Sequence, residues 1–566
     1  MKQILQSFKT GETKLEDIPV PNVAYGSVLI QTSHTLVSLG TERMLVEFGR
    51  ASLIEKSRQQ PEKVAQVLEK IRADGLLPTL EAVFNKIGQP IPLGYCNVGK
   101  IIGIGEGVSE FIIGDRVASN GPHAEYVSIP KNLVQRVPES VKSEDAVFTV
   151  ISSIALQGIR LCDPTYGEKI VVIGLGLVGL ITVQLLQANG CEVIGIDLDQ
   201  DKCMIAKSYG INVINPSKEN PFKIIEHITN GVGVDGTIIT AATKSNDVIS
   251  QAANYCRKKG RIVLVGVVGL DINRSDFYEK ELSFQVSCSY GPGRYDENYE
   301  IKGNDYPIGY VRWTEKRNFE CILKSIEERK LKFEKLITEV IPFENFNNIY
   351  DNMNSNNSIA SILEYNENVL KSKKIELVDF DFINKKAIIG IIGAGNFTKS
   401  TLLPSLKNTQ GQFKGIASLN GLNGTLLAKK FDFNYSTTDY KQLLLDPDID
   451  TILVTTRHNS HAKLVVESLK AGKNVFVEKP LALNNDELNK VIDVYNKKNL
   501  NLTVGFNRRF APFSKRIKSS LGETDTPLNI VININAGNIP KDHWVHDMKV
   551  GGGRIIGEVC HFIDLC

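Results

Sequence analysis

Two glycine turns carry the most legible chemistry in this sequence. Gly174, Gly176 and Gly179 stand in a GxGxxG pattern directly after the apolar run Lys169 to Ile173 and before a run with helical spacing. Small residues there let the backbone approach a pyrophosphate, whose charge is met by the amides at the helix N-terminus. Asp197 closes the next apolar run, about 20 residues on, where a carboxylate accepts hydrogen bonds from ribose hydroxyls and repels a 2′-phosphate. This part of the chain is therefore expected to prefer NAD over NADP. The second turn, in IIGIIGAGNFTKS, repeats the strand, turn and helix with Gly393 and Gly395, followed by Asn396 and Phe397, and has Thr398 in place of the third glycine. The strand after it ends in Ser418, Leu419 and Asn420 instead of an acid, which leaves NAD and NADP both open.

The elements that must hold these turns follow from the pattern around them. From Met1 to about Val150, short β-rich runs such as SVLIQTS and AEYVSIP are punctuated by Gly and Pro, and a helical insertion at Ala51 to Lys86 interrupts them. Strands and helices then alternate from 151 to 287 and again from 386 to 506, which predicts two parallel sheets with helices on both faces. An exposed linker is expected at 366–385, next to an Asn-rich stretch. The remainder, 507–566, offers one strand in LNIVININAG and one helix in GGGRIIGEVCHFIDLC, too little to close a sheet, so the last part reads as truncated or dependent on another chain.

Composition sets the broad class. At 566 residues, with 42% hydrophobic, 23% charged and 7% aromatic side chains, the chain is an ordinary globular protein of several units. A formal charge of +2 excludes a broad field for nucleic acid or a membrane, and small, locally charged ligands are the better expectation. The N-terminus is broken by charges and lacks the apolar core of a secretion signal, so a cytosolic location is expected. The nine cysteines show no CxxC pair, and no disulfides are expected. The uncharged run Ile170 to Leu186 is near the lower limit for a membrane span, but its glycines fit a buried strand turning into a buried helix.

Residues 1–365 resemble the medium-chain dehydrogenase/reductase family, the zinc-type alcohol dehydrogenases and their zinc-free relatives. LGYCNVGKIIGIGEGVSEFIIGDRVA resembles the family's GHE segment, glycine turn and GDRV strand, and HAEYVSIP its AEY strand. The resemblance implies a GroES-like β-domain at 1–150 with a return segment at 288–365. It also marks departures. Ser38 stands where the family's catalytic zinc is held by a Cys, and Tyr95 followed by Cys96 stands where it has the His of GHE. No four-cysteine structural lobe is present between Val117 and Ala124. A catalytic zinc takes about three protein ligands, so this part is expected to bind no metal. Proton transfer would then fall to a hydroxyl, for which Tyr95 is the candidate by alignment, beside the alternative of a packing role. Tyr290, Arg294, Tyr295, Arg312 and Trp313 gather arginines and aromatics that suit either an anionic or sugar ligand or a surface patch.

The later segments DTILVTTRHNSHA, GKNVFVEKPLAL, TVGFNRRFAP and GGGRIIGEVCHFIDL follow the second turn in order. Together they resemble the Gfo/Idh/MocA oxidoreductases over 387–566. The resemblance implies that Glu478, Lys479 and Pro480 match the family's EKP segment, with Lys479 beside the nicotinamide and the reacting carbon, where an ammonium can bond the reacting oxygen. It implies that His561 is the catalytic histidine, exchanging the hydroxyl proton. Asp564 lies one helical turn on; the acid that the family often places four residues before the histidine is here Gly557, which leaves open whether Asp564 or Glu558 completes the set. Thr456, Arg457, His458 and His461 match a cofactor-side loop, and Asn507, Arg508 and Arg509 a substrate-side segment. His458 and His461 lack the further ligands of a metal site.

The fusion resembles bi-domain oxidoreductases associated with bacterial surface polysaccharides. It implies NAD(P)-dependent hydride transfer on a sugar or nucleotide sugar, and a homo-oligomer through the second half's sheet where that sheet is complete. A polyol- or inositol-type dehydrogenase, a first domain that binds NAD without doing chemistry, and an inactive chain are the readings left open beside it.

Overall fold

The first glycine turn sits in a six-stranded sheet whose strands are all parallel. The order is Asn212–Ile214, Glu192–Ile196, Lys169–Ile173, Val234–Ile239, Cys256–Leu264 and Ser283–Val286. The computed structural model describes residues 1–52, 55–56, 58, 89–351, 353, 358–367, 371–379, 382, 387–522, 527–535, 537, 539–540 and 543–566. The expected helical insertion at 51–86 lies almost wholly outside the described residues. The strand Lys169–Ile173 buries every residue after its first, because helices cover both faces of a parallel sheet. The uncharged run from Ile170 resolves into this strand and the helix Leu177–Ala188. Among the described residues no helix is long and apolar enough to cross a membrane.

Within the same unit, an antiparallel β-domain is built on Ser27–Val37. This long strand pairs with Asn97–Ile104, Tyr126–Pro130 and the returning Ala360–Glu364, and it shifts register against Asn97–Ile104 at two points. Ile337–Pro342 then adds a parallel neighbour to Ala360–Glu364.

The second unit comprises Asp17–Asn22 with Leu370–Cys566, and Met1 is grouped with it. Its sheet runs Lys374–Glu376, Tyr435–Thr437, Gln412–Ala417, Ile388–Ile392, Thr451–Val454, Asn474–Val477 and Leu502–Val504; only the first strand is antiparallel. Side chains of successive strand residues point to opposite faces. One core accordingly holds Ile392, Ile452 and Val454, and the other holds Ile389, Ile391 and Leu453. The sheet is doubly wound.

Three expectations need correction. Residues 374–376, read as linker, form the antiparallel edge strand, where Ile375 pairs with Ser436. Residues 17–22, read as part of the β-domain, join the second unit: the Val20 amide donates to the Ser372 carbonyl at 2.9 Å and the Thr438 hydroxyl donates to the Val20 carbonyl at 2.6 Å. LNIVININAG, read as a strand opening an α+β domain, is not a strand in its described residues, and Val531 is 78% exposed. A strand needs a neighbour to take its amides, and β propensity alone does not hold one.

Candidate functional site

In the first unit the three glycines do three different jobs. Gly174 holds φ at +94°, and a Cβ there would lie 2.6 Å from the Ala241 nitrogen; at Gly179 it would lie 1.9 Å from the Gly174 carbonyl oxygen. At Gly176 nothing lies within 4 Å, which leaves the space a phosphate would take. The half-buried Asp197 carboxylate accepts from the Leu175 amide at 2.6 Å and from the Asp199 amide at 2.9 Å. Those bonds tie the acid to the turn and leave lone pairs for ribose hydroxyls.

The position implied for zinc is filled differently. Ser38 is buried at the N-terminus of the helix Leu39–Arg50, and its amide donates to Glu42 at 3.1 Å. The buried Glu42 carboxylate also meets His123 Nε2 at 3.2 Å and accepts from the Tyr350 hydroxyl. His123 Nδ1 lies 2.7 Å from the Thr35 hydroxyl, which in turn lies 3.0 Å from that of Tyr365. Cys96 is fully buried and burial pushes its thiol up, away from the thiolate a metal needs. These residues do not fit the zinc ligand set, and among the described residues no group of three His, Cys, Asp or Glu could hold a metal. Tyr95 is half-buried beside Gly94, whose Cα faces the His123 ring closely enough that a Cβ would lie 2.6 Å from it. The Glu42 and His123 pair escaped sequence reasoning; its available signals were Glu42 in SLGTE and a histidine placed just before the AEY strand.

The aromatic and arginine segment is largely satisfied from within. Tyr290 is buried, its hydroxyl accepts from Asn120 at 3.2 Å, and burial pushes that hydroxyl's pKa up. Arg294 pairs with Glu300 at 2.6 Å and lies over the Tyr295 ring, while Arg160 and Arg312 lie 3.5 and 3.9 Å from the centre of the Trp313 ring.

In the second unit, Gly393 holds φ at +117°, with Thr455 so close that a Cβ would lie 2.7 Å from its hydroxyl, while the space beside Gly395 is open. Thr398 fills the third glycine's place by hydrogen bonding: its hydroxyl is 3.1 Å from the Gly393 carbonyl and 2.8 Å from the Thr455 hydroxyl. Asn396 is exposed and Phe397 half-buried at the start of the helix that follows. Ser418, at the next strand end, accepts from the Gly424 amide at 3.1 Å.

Lys479 follows the strand Asn474–Val477 and reaches the Gly557 carbonyl at 2.7 Å. That contact brings it to the helix Cys560–Leu565, which carries His561. His561 is 8% exposed, and its Nδ1 is buried without a hydrogen-bond partner among the described residues. Burial first, then the positive charges of Lys479 and Arg508, lower its pKa to about 4, against an opposing pull from Asp564. The two candidate acids are held elsewhere. Arg509 grips Asp564, with Nε at 3.0 Å, and Arg554 holds Glu558 at 2.7 Å one helical turn away. Neither acid is hydrogen-bonded to His561, so the three-residue set implied by resemblance is not assembled. Gly557 also shows why no acid side chain stands four residues before His561: a Cβ there would lie 3.0 Å from the His458 ring.

The histidines of the expected cofactor loop are anchored to the backbone. His461 is fully buried between the carbonyls of Pro480, at 2.7 Å, and Thr456, at 3.0 Å; His458 Nδ1 lies 2.8 Å from the Gly551 carbonyl. Burial lowers the pKa of both. They position the EKP segment and the C-terminal segment, with Arg457 lying 5.6 Å from the Trp544 ring. Glu478 is half-buried, and burial raises its carboxyl pKa against the neighbouring Lys479 charge.

The chain is similar to known proteins in both of its parts. Residues 388–506 match the oxidoreductase family with an NAD-binding Rossmann fold, Gfo/Idh/MocA, and residues 178–301 match the zinc-binding dehydrogenase family. Each part is therefore similar to a dehydrogenase domain, the first to the zinc-binding dehydrogenases and the second to the NAD-binding Rossmann domain of the Gfo/Idh/MocA oxidoreductases. Among individual proteins, the chain is 31% identical over 185 residues to the uncharacterized oxidoreductase YrbE of Bacillus subtilis (strain 168), covering 32% of this chain and 53% of that protein. The chain thus spans about half the length of that relative. It is 28% identical over 264 residues to D-guloside 3-dehydrogenase of Escherichia coli (strain K12), covering 45% of this chain and 71% of that one. The alcohol dehydrogenase TADH from Thermus sp. ATN1 shares the fold, with a TM-score of 0.51 and 17% identity over 65% of this chain and all of that chain.

Proposed function

We propose that this chain transfers hydride between NAD(P) and a secondary alcohol of a sugar or nucleotide sugar, with the chemistry in the second unit at Lys479 and His561. The observation that carries this reading is the Lys479 contact with the Gly557 carbonyl, which draws the EKP lysine to the histidine helix at the C-terminal end of a parallel strand, where open α/β sheets bind ligands. A bound nicotinamide accepts or supplies the hydride. In the oxidising direction the alcohol carbon loses hydride, the carbonyl forms, and the hydroxyl proton passes to His561. Burial and the Lys479 and Arg508 charges keep the imidazole neutral, and its unpartnered Nδ1 is the open position for that proton. The Lys479 ammonium donates to the reacting oxygen and stabilises the charge that gathers there.

In the first unit, Asp197 supports an NAD preference. The Glu42 and His123 network favours a second reading of that unit, as a cofactor-binding part without metal chemistry. Tyr95 remains the candidate hydroxyl there, and turnover lost in Tyr95→Phe would count for it.

The test uses the full chain and a panel of sugars and nucleotide sugars, followed by absorbance of the reduced cofactor. Lys479→Ala and His561→Ala should each lower turnover by about two to four orders of magnitude, with little change in cofactor affinity. The double variant should cost much less than the product of the single losses. Full activity in either single variant would place the chemistry elsewhere.

A further inference from the structure

We infer that the substrate of the second unit carries an oxyanion, a carboxylate or a phosphate, near its reacting carbon, and that Arg508 binds it. This inference rests on the reading of Lys479 and His561 as the reacting site. Three contacts hold the turn Asn507–Phe510 and the residue before it against the helix Cys560–Leu565. The Phe506 ring meets His561 edge-on at 5.9 Å, the Arg508 guanidinium lies 4.6 Å from the centre of the Phe562 ring, and Arg509 grips Asp564.

Charge accounting singles out Arg508. Asp564 is taken by Arg509 and Glu558 by Arg554, while the Glu478 carboxylate lies beside Gly505 and makes no ion pair with Lys479 among the described residues. Among the described residues Arg508 has no carboxylate partner, and both it and Lys479 act electrostatically on His561. The exposed Arg508 and the half-buried Lys479 beside a buried imidazole with an unpartnered nitrogen make this surface electropositive. The cofactor does not neutralise it, since its pyrophosphate belongs to the Gly393 turn and the oxidised nicotinamide is itself cationic. The hydroxyls of a neutral sugar carry no charge to offer. A carboxylate or phosphate does, and the planar fork of a guanidinium binds either through paired hydrogen bonds.

The full chain loaded with NADH is titrated calorimetrically with glucose, glucuronate and glucose 6-phosphate. At least one anionic sugar should bind tenfold or more tighter than glucose, and the better of the two identifies the oxyanion. Arg508→Gln should bring that ratio near unity, and Arg508→Lys should keep part of it, as a point charge without the fork. Equal binding of glucose and both anions overturns the inference, as does a preference that survives Arg508→Gln, or silence from all three sugars while NADH binds. The oxidoreductase reading is judged separately: if Lys479→Ala abolishes turnover of the anionic sugar that Arg508→Gln processes with unchanged KM, that reading stands and only this inference falls.

Discussion

Glu315 should make the first unit lose stability as pH rises, and Glu315→Gln should remove that loss. The side chain is fully buried at the start of the helix Glu315–Glu327, and neither carboxyl oxygen has a hydrogen-bond partner among the described residues. Burial, and then the nearby Glu300 charge, raise its pKa to about 9 from 4.5, while Arg294 opposes them. The folded state therefore keeps a proton that the unfolded chain releases above its own pKa. The resulting stability is fully present below about pH 4.5 and drains away as pH rises toward 9, by up to about 1.4 kcal/mol per unit. Between pH 5.5 and 8.5 this amounts to about 4 kcal/mol at most, an upper bound because a relaxing structure admits water to the ionised group. Gln cannot ionise and closely matches the neutral acid in shape, so the variant should be near wild type at pH 5.5 and clearly more stable at pH 8.5. Trp313 lies two residues away, and the chain has only two tryptophans. Urea unfolding followed by Trp313 fluorescence in a Trp544→Phe background isolates this unit. Equal pH dependence in the two proteins would refute the reasoning.

Other outcomes follow from the same contacts. Residues of the first unit should bind NAD(H) more tightly than NADP(H), and Asp197→Asn should narrow the difference about ten- to a hundredfold, about 1.4 to 2.7 kcal/mol; calorimetry with both cofactors decides it, and an initial preference for NADP(H) would sink the assignment. Glu42→Ala should destabilise the β-domain by about 3 to 5 kcal/mol, since it leaves His123 buried without its partner; chemical unfolding with a loss under about 1 kcal/mol would count against the network. Turnover in the oxidising direction should fall on the acid side only as pH approaches about 4, where His561 protonates. A fall centred near pH 6.5 would mean that the imidazole is not held as the structure holds it.

Much of this protein was legible in one dimension. Local rules governed those parts: a glycine that must hold φ above +90°, an acid at a strand end, apolar runs of strand length alternating with helical spacing. Both Rossmann turns and the placing of Lys479 after its strand came from such patterns and from the resemblance they supported. Tertiary structure alone decided where the charges went. Asp564 is gripped by Arg509, 55 residues earlier in the chain, and Glu42 by His123, 81 residues later. Ion pairing depends on which side chains folding brings within a few ångströms, and no sequence period records that distance. The edge strand 374–376 and LNIVININAG, which is not a strand in its described residues, make the same point for the backbone, because a strand exists only where a neighbour supplies the other half of its hydrogen bonds.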